Sequence, residues 1–232
     1  MQTLITVENL SKNYGRGPVL QALNLTVNRG RIVGVMGPNG CGKTTLFKIL
    51  AGLIRDYQGK VTIDGQEPGI YTKSIVSYLP EKTYLSDWMR ARDAVGMFAD
   101  FYADFDRAKA EEMLRQFHLE GGMRLKAMSK GMQEKLQLIL VMSRAAKLYI
   151  LDEPLSGVDP AARDSILDII LKNYSDDAAV LLSTHLIYDV ERIFDDVILL
   201  SYGQLLAADS ADNIRASSGM SLDAYFRGVF KC

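Results

Sequence analysis

Ile32-Val33-Gly34-Val35-Met36-Gly37-Pro38-Asn39-Gly40-Cys41-Gly42-Lys43-Thr44-Thr45 runs from an apolar strand pattern into a glycine-rich turn, and Leu46 to Ala51 continues it as a helix. The pattern G-x-x-x-x-G-K-S/T is met at Gly37, Gly42, Lys43 and Thr44, between a buried strand and a helix. Glycines let successive backbone N–H groups point inward with no side chain to hold a phosphate away. Pro38, Asn39, Gly40 and Cys41 complete such a loop, which is expected to set the Cys41 thiol against the phosphates. The helix starting near Lys43 adds its positive end, and Lys43 can reach the outer phosphates as a point charge. The Thr44 hydroxyl can ligate Mg²⁺, and Thr45 is expected to reach an inner phosphate. Nucleotide binding is therefore expected over a structural glycine turn.

A second cluster lies downstream. Leu148-Tyr149-Ile150-Leu151 is an apolar strand ending in Asp152-Glu153-Pro154. Neighbours along a strand point to opposite faces, so the two carboxylates can address different targets. Asp152 is expected to hold Mg²⁺ through its water shell, and Glu153 to orient and deprotonate a water attacking the γ-phosphate. Taken alone, the string reads more readily as a strand-capping turn with both acids solvated. Leu181-Leu182-Ser183-Thr184-His185 repeats the design, and His185 could hold the attacking water in line. His118, late in an amphipathic helix with no motif around it, is assigned no role.

Working outward, strand-like segments recur between helical ones at Leu4 to Val7, Lys60 to Ile63, Ile75 to Leu79, Val180 to Ser183 and Val197 to Leu200. Short, continuously apolar and β-branched, they predict a mainly parallel sheet buried on both faces, hence an α/β fold. Asp93 to Phe117 and Gln133 to Ala146 read as helices, with Ala94, Phe98, Phe101 and Tyr102 forming one apolar face. A helical subdomain spanning about 84–146 follows. Beyond Tyr202 come a strand-like Gly203 to Ala208 and a polar tail at about 209–232.

Bulk properties set limits. The 232 residues, 48% of them hydrophobic, suffice for one domain with a real core. The net charge of −1 provides no broad positive field, so nucleic acid is not an expected partner. Cys41 and Cys232 cannot make a disulfide framework, which fits a reducing cytoplasm. No apolar run approaches the ~18 residues that span a bilayer, so no direct membrane insertion is expected.

These pieces, in this order, resemble the ABC ATPase family over nearly the whole chain. Met128-Ser129-Lys130-Gly131-Met132 looks like a variant of its signature LSGGQ, and Ser156-Gly157-Val158-Asp159-Pro160 looks like its D-loop. The resemblance implies one P-loop NTPase domain over 1–232, with an antiparallel β subdomain and a helical subdomain carrying the signature. It implies that Ser129, Gly131 and Asp159 act on nucleotide held by a second subunit, closing a head-to-tail dimer with ATP between the copies. That mate is either identical or a paralogous ATPase. Tyr14 matches the residue that stacks on adenine. Glu81, in Tyr78-Leu79-Pro80-Glu81, stands where most members have a Gln that senses Mg²⁺. Its implied role is a metal contact made in the closed state.

The implied function is ATP hydrolysis, with ATP and Mg²⁺ bound, powering a separate transmembrane permease subunit from the inner face of the membrane. Export is favoured over import. Tyr84, Leu85, Trp88 and Met89 would form either a groove for a permease helix or ordinary inter-subdomain packing. The competing reading is a soluble ABC ATPase of translation or DNA repair. It lacks support from a second ATPase unit, a coiled-coil insertion or a basic patch.

Overall fold

In Ile32-Val33-Gly34-Val35-Met36 every residue is buried, with Val33 and Val35 entering one core while Ile32 and Met36 enter another. A strand buried on both faces needs a layer on each side, and the computed structural model, which describes residues 2–15 and 17–230, supplies both. Cys232 lies outside the described residues.

The strands are β1 (Thr3–Asn13), β2 (Pro18–Asn28), β3 (Ile32–Met36), β4 (Gln58–Ile63), β5 (Val76–Leu79), β6 (Leu148–Asp152), β7 (Ala179–Ser183), β8 (Asp196–Ser201) and β9 (Gln204–Ser210). The helices are α1 (Lys43–Leu50), α2 (Ile70–Ile75), α3 (Ala91–Phe101), α4 (Arg107–Gln116), α5 (Lys130–Met142), α6 (Pro160–Asn173), α7 (Ile187–Val190), α8 (Ala211–Ser218) and α9 (Leu222–Phe230). A six-stranded sheet runs β5-β6-β7-β3-β8-β9, parallel except for the β8–β9 hairpin, and a three-stranded antiparallel sheet runs β2-β1-β4.

Helix α1 lies between the sheets, its Leu46, Phe47, Ile49 and Leu50 sharing a core with β1, β2 and β4. Full burial of each such side chain contributes roughly 1.5–3 kcal/mol, so the loop preceding α1 sits on a rigid base. The opposite face of the large sheet packs on α5, α6 and the helices before them.

Several expectations are corrected. The strand β2 was not anticipated. The helix expected over Asp93 to Phe117 is two helices. The chain turns extended at Tyr102, and Asp106 restarts it as an N-cap accepting the Lys109 amide at 2.9 Å. Between them Asp104 meets the buried Arg144 at 3.0 Å, which fixes the break. Phe101, expected on the apolar face, is 78% exposed, because the helix ends there and its side chain points off the core. The helix expected over Gln133 to Ala146 starts and stops one turn earlier, at Lys130 and Met142, with Ser129 as its N-cap.

Candidate active site

Parallel strands place their C-terminal ends on one edge. Asp152, ending β6, pairs in register with Ser183, ending β7, and Val35 of β3 pairs with Ser183 from the other side. The glycine loop leaves β3 at this edge and enters α1 through Gly42, whose φ of 110° is closed to most side chains. A Cβ there would also lie 2.5 Å from Leu20 Cδ2. No side chain caps α1, so its first-turn amides are left for a ligand.

Beside them is a cavity of about 390 Å³ that brings together Tyr14, Asn39, Gly40, Gly42, Lys43, Thr44, Thr45, Glu81, Asp152, Glu153 and His185. Val19 and Ser156 also line it, neither singled out as a site residue from sequence. Lys43 is buried and its ammonium reaches back over the loop to the carbonyls of Gly37 at 2.7 Å and Pro38 at 3.2 Å. A phosphate would offer the same cation a charged acceptor in place of two neutral ones.

The acids are set by one serine. Ser183 Oγ donates to Asp152 Oδ1 at 2.7 Å and accepts the Glu153 amide at 3.1 Å. Asp152 Oδ2 is buried without a hydrogen-bond partner. An orphaned carboxylate oxygen on a cavity that Thr44 also lines suits a hard divalent cation that also takes phosphate oxygens. Among the described residues no group of three or more His, Cys, Asp and Glu is arranged to hold a metal ion by itself. The donors here therefore fit Mg²⁺ brought with a nucleotide better than a cation held by protein alone.

Glu153 adopts φ 55°, a left-handed conformation uncommon outside glycine, which turns its carboxylate toward His185. Oε2 accepts the His185 amide at 3.2 Å. The ring Nε2 lies 3.0 Å from Oε1, off the line of a hydrogen bond, so Oε1 keeps a free acceptor site. Burial pushes the Glu153 carboxyl up to about 7; the His185 amide and Lys43 oppose the rise, while Asp152 and Glu81 add to it. Burial and Lys43 hold the His185 ring below its ordinary value, which favours the neutral form. Ser183 was missed as a site residue from sequence, although it ends an apolar strand as Asp152 does.

The remaining expected residues lie at the cavity's edge or outside it. Tyr14 stands half exposed at the cavity edge. Cys41 is part of the loop, but its side chain is 2% exposed and packs in the core with α1, and its amide donates to Pro38 O at 3.2 Å. The expectation that its thiol lies against phosphate is thereby corrected. Ser129 is exposed and accepts the Met132 amide at 3.3 Å as the N-cap of α5. Gly131 follows it, and Asp159 precedes α6 with Pro160 in the first turn. These three do not reach the cavity within one chain. The Lys130 side chain lies across Gly157, joining the Ser129 segment to the Asp159 loop.

The family model for the ABC transporter matches residues 20–156, spanning the glycine loop, Ser129 and Glu153. The chain belongs to this family. It is 30% identical over 225 residues to the daunorubicin resistance ATP-binding protein DrrA3 of Streptomyces coeruleorubidus, covering 94% of this chain and 71% of that protein. It is also 30% identical to the ABC-type transporter ATP-binding protein EcsA of Bacillus subtilis, over 94% and 92%. The lipopolysaccharide export system ATP-binding protein LptB of Haemophilus influenzae is 28% identical, over 91% and 92%. A solved ATP-binding subunit of an ABC transporter superposes with a TM-score of 0.86 at 30% identity, covering 98% of this chain and all of that one. The ABC chain described here is thus an ATP-binding subunit with the P-loop NTPase fold. No helix among its described residues is long and apolar enough to cross a membrane.

Proposed function

We propose that this ABC subunit hydrolyses MgATP between two copies and so drives a separate transmembrane permease, as an exporter, from the cytoplasmic face. The observation that carries it is the convergence of Lys43, Asp152, Glu153 and His185 on one cavity at the strand ends.

Each group has a task that its surroundings suit. The α1 amides and Lys43 hold the β- and γ-phosphates, and Tyr14 stacks on the base. Thr44 and the free Asp152 Oδ2 hold Mg²⁺, which when bound neutralises charge on the phosphate oxygens. Glu81 joins them in the closed state. Glu153, with a proton affinity matched to neutral pH and an open Oε1, takes the proton of the attacking water. His185, held neutral, donates to a γ-phosphate oxygen and positions that water.

The exposed Ser129 and Gly131 at the start of α5 close on the phosphates of the other copy, and Asp159 links the two sites. Both halves being present in one chain favours a homodimer; a paralogous mate remains compatible. On this reading 1–232 is one domain, with a helical subdomain at about 84–146 and a tail at about 209–232.

A second cavity of about 590 Å³ lies between the large sheet and the helices, lined by Val76, Tyr78, Tyr84, Phe98, Phe101 and Tyr102 among others. We assign it to a permease helix. Of the residues expected there, Tyr84 lines it, Leu85 and Met89 are buried core, and Trp88 is exposed outside it. Export is supported by the drug-resistance and lipopolysaccharide-export names of two relatives.

The test is Glu153→Gln, which keeps shape and removes the base. MgATP affinity should persist while turnover falls by ~100-fold or more. Wild-type turnover would remove Glu153 from the role.

A further inference from the structure

Tyr14 lines the edge of the nucleotide cavity and is half exposed. Over its ring sits the Lys12 ammonium, 4.9 Å from the centroid. Lys12 is 7% exposed, and a buried ammonium persists only where it is paired. Its partner is Asp56, from the segment before β4, with Nζ to Oδ2 at 2.9 Å. Asp56 itself is fully exposed, so this ion pair serves to aim the lysine rather than to hold the fold together.

We propose that Lys12, steered by Asp56, is a positioning residue for ATP: it pins Tyr14 by a cation–π contact so that the open face of the ring is preset for the base. This rests on the reading that Tyr14 stacks on adenine. An unpinned tyrosine on a loop edge would have to be ordered by each arriving nucleotide, and pre-organisation removes that cost. Lys12 lies in a side cavity with Ser11, Asp56 and Tyr57 rather than in the nucleotide cavity, so its action passes through the ring.

The experiment compares MgATP with magnesium tripolyphosphate, which has the phosphates but no base, on the full chain. Tyr14→Ala should weaken ATP about tenfold and leave tripolyphosphate unchanged. Lys12→Met should weaken ATP about threefold to tenfold, raise KM without lowering kcat, and leave tripolyphosphate unchanged. Lys12→Arg, which keeps a cation over the ring, should restore ATP binding. In the Tyr14→Ala background Lys12→Met should do nothing further.

An equal loss of tripolyphosphate binding in Lys12→Met, or the same loss of ATP affinity with and without Tyr14, overturns the proposal. A loss in Tyr14→Ala with none in Lys12→Met overturns the lysine's role and spares the stacking reading. Unchanged ATP affinity in Tyr14→Ala overturns both.

Discussion

His185 meets one carboxylate twice: its backbone amide donates to Glu153 Oε2 at 3.2 Å, and its ring Nε2 stands 3.0 Å from Oε1 without a hydrogen bond. The residue that would position the attacking water thus also orients the base that would deprotonate it. Such an arrangement has a cost in the resting protein, because Glu153 is buried with a proton affinity raised to about 7. Ionising it is easier in the unfolded chain. The penalty begins as pH climbs past the ordinary glutamate value and is complete above about 7. Glu153→Gln should therefore stabilise the metal-free, nucleotide-free protein by about 1–3 kcal/mol at pH 8 and hardly at all at pH 5. Thermal melts at the two pH values check it. A gain that does not grow with pH contradicts it.

Glu81 brings a third carboxylate to the cavity that holds Asp152 and Glu153. If it joins the metal in the closed state, Glu81→Gln should raise the Mg²⁺ concentration needed for half-maximal turnover by about threefold or more, with ATP binding little altered. A magnesium titration of turnover decides this; an unchanged requirement rules out the metal contact.

Asp64 ties three segments of the chain together away from the site. It accepts Lys147 Nζ and the Tyr71 hydroxyl, each at 2.6 Å, and pairs with Arg29. These partners, Lys147 first, hold its carboxyl below the usual aspartate range. A depressed carboxylate stabilises above its ordinary value and loses that contribution as pH falls through its lowered native one. Because Lys147 is partly exposed, Asp64→Asn should cost only about 1 kcal/mol at pH 7, and less at about pH 3, below the ordinary aspartate value. Urea unfolding at both pH values measures the difference, and an equal loss at each would contradict it.

Cys41 sits under the loop in the core, and burial pushes its thiol up. Iodoacetamide at pH 8 should leave native Cys41 largely unmodified and label it fully in urea. Peptide mapping separates it from Cys232. Rapid native labelling blocked by MgATP would instead place the thiol in the nucleotide cavity.

What could be read from sequence was what lies in one contiguous string. The glycine loop, Asp152-Glu153 and His185 each end an apolar strand, and the parallel register then brings those ends together. The strand β2 escaped notice because a register irregularity breaks its alternation. Ala22 takes φ 47° and its amide goes to Ser11 Oγ, so the inward residues are Leu20, then Leu23 and Leu25. The break after Phe101 rests on the contact of Asp104 with Arg144, forty residues away, as Lys12 rests on Asp56. Such pairings are fixed by tertiary packing and leave no local periodicity to read.

In the proposed function, ATP is held between the glycine loop of one copy and the Ser129 helix start of another. Sedimentation of the Glu153→Gln protein tests it most directly. Monomers are expected without nucleotide, dimers with saturating MgATP, and monomers that still bind ATP when Ser129→Arg is added. Glu153→Gln remaining monomeric in MgATP, or dimerising as well with Ser129→Arg, would contradict it.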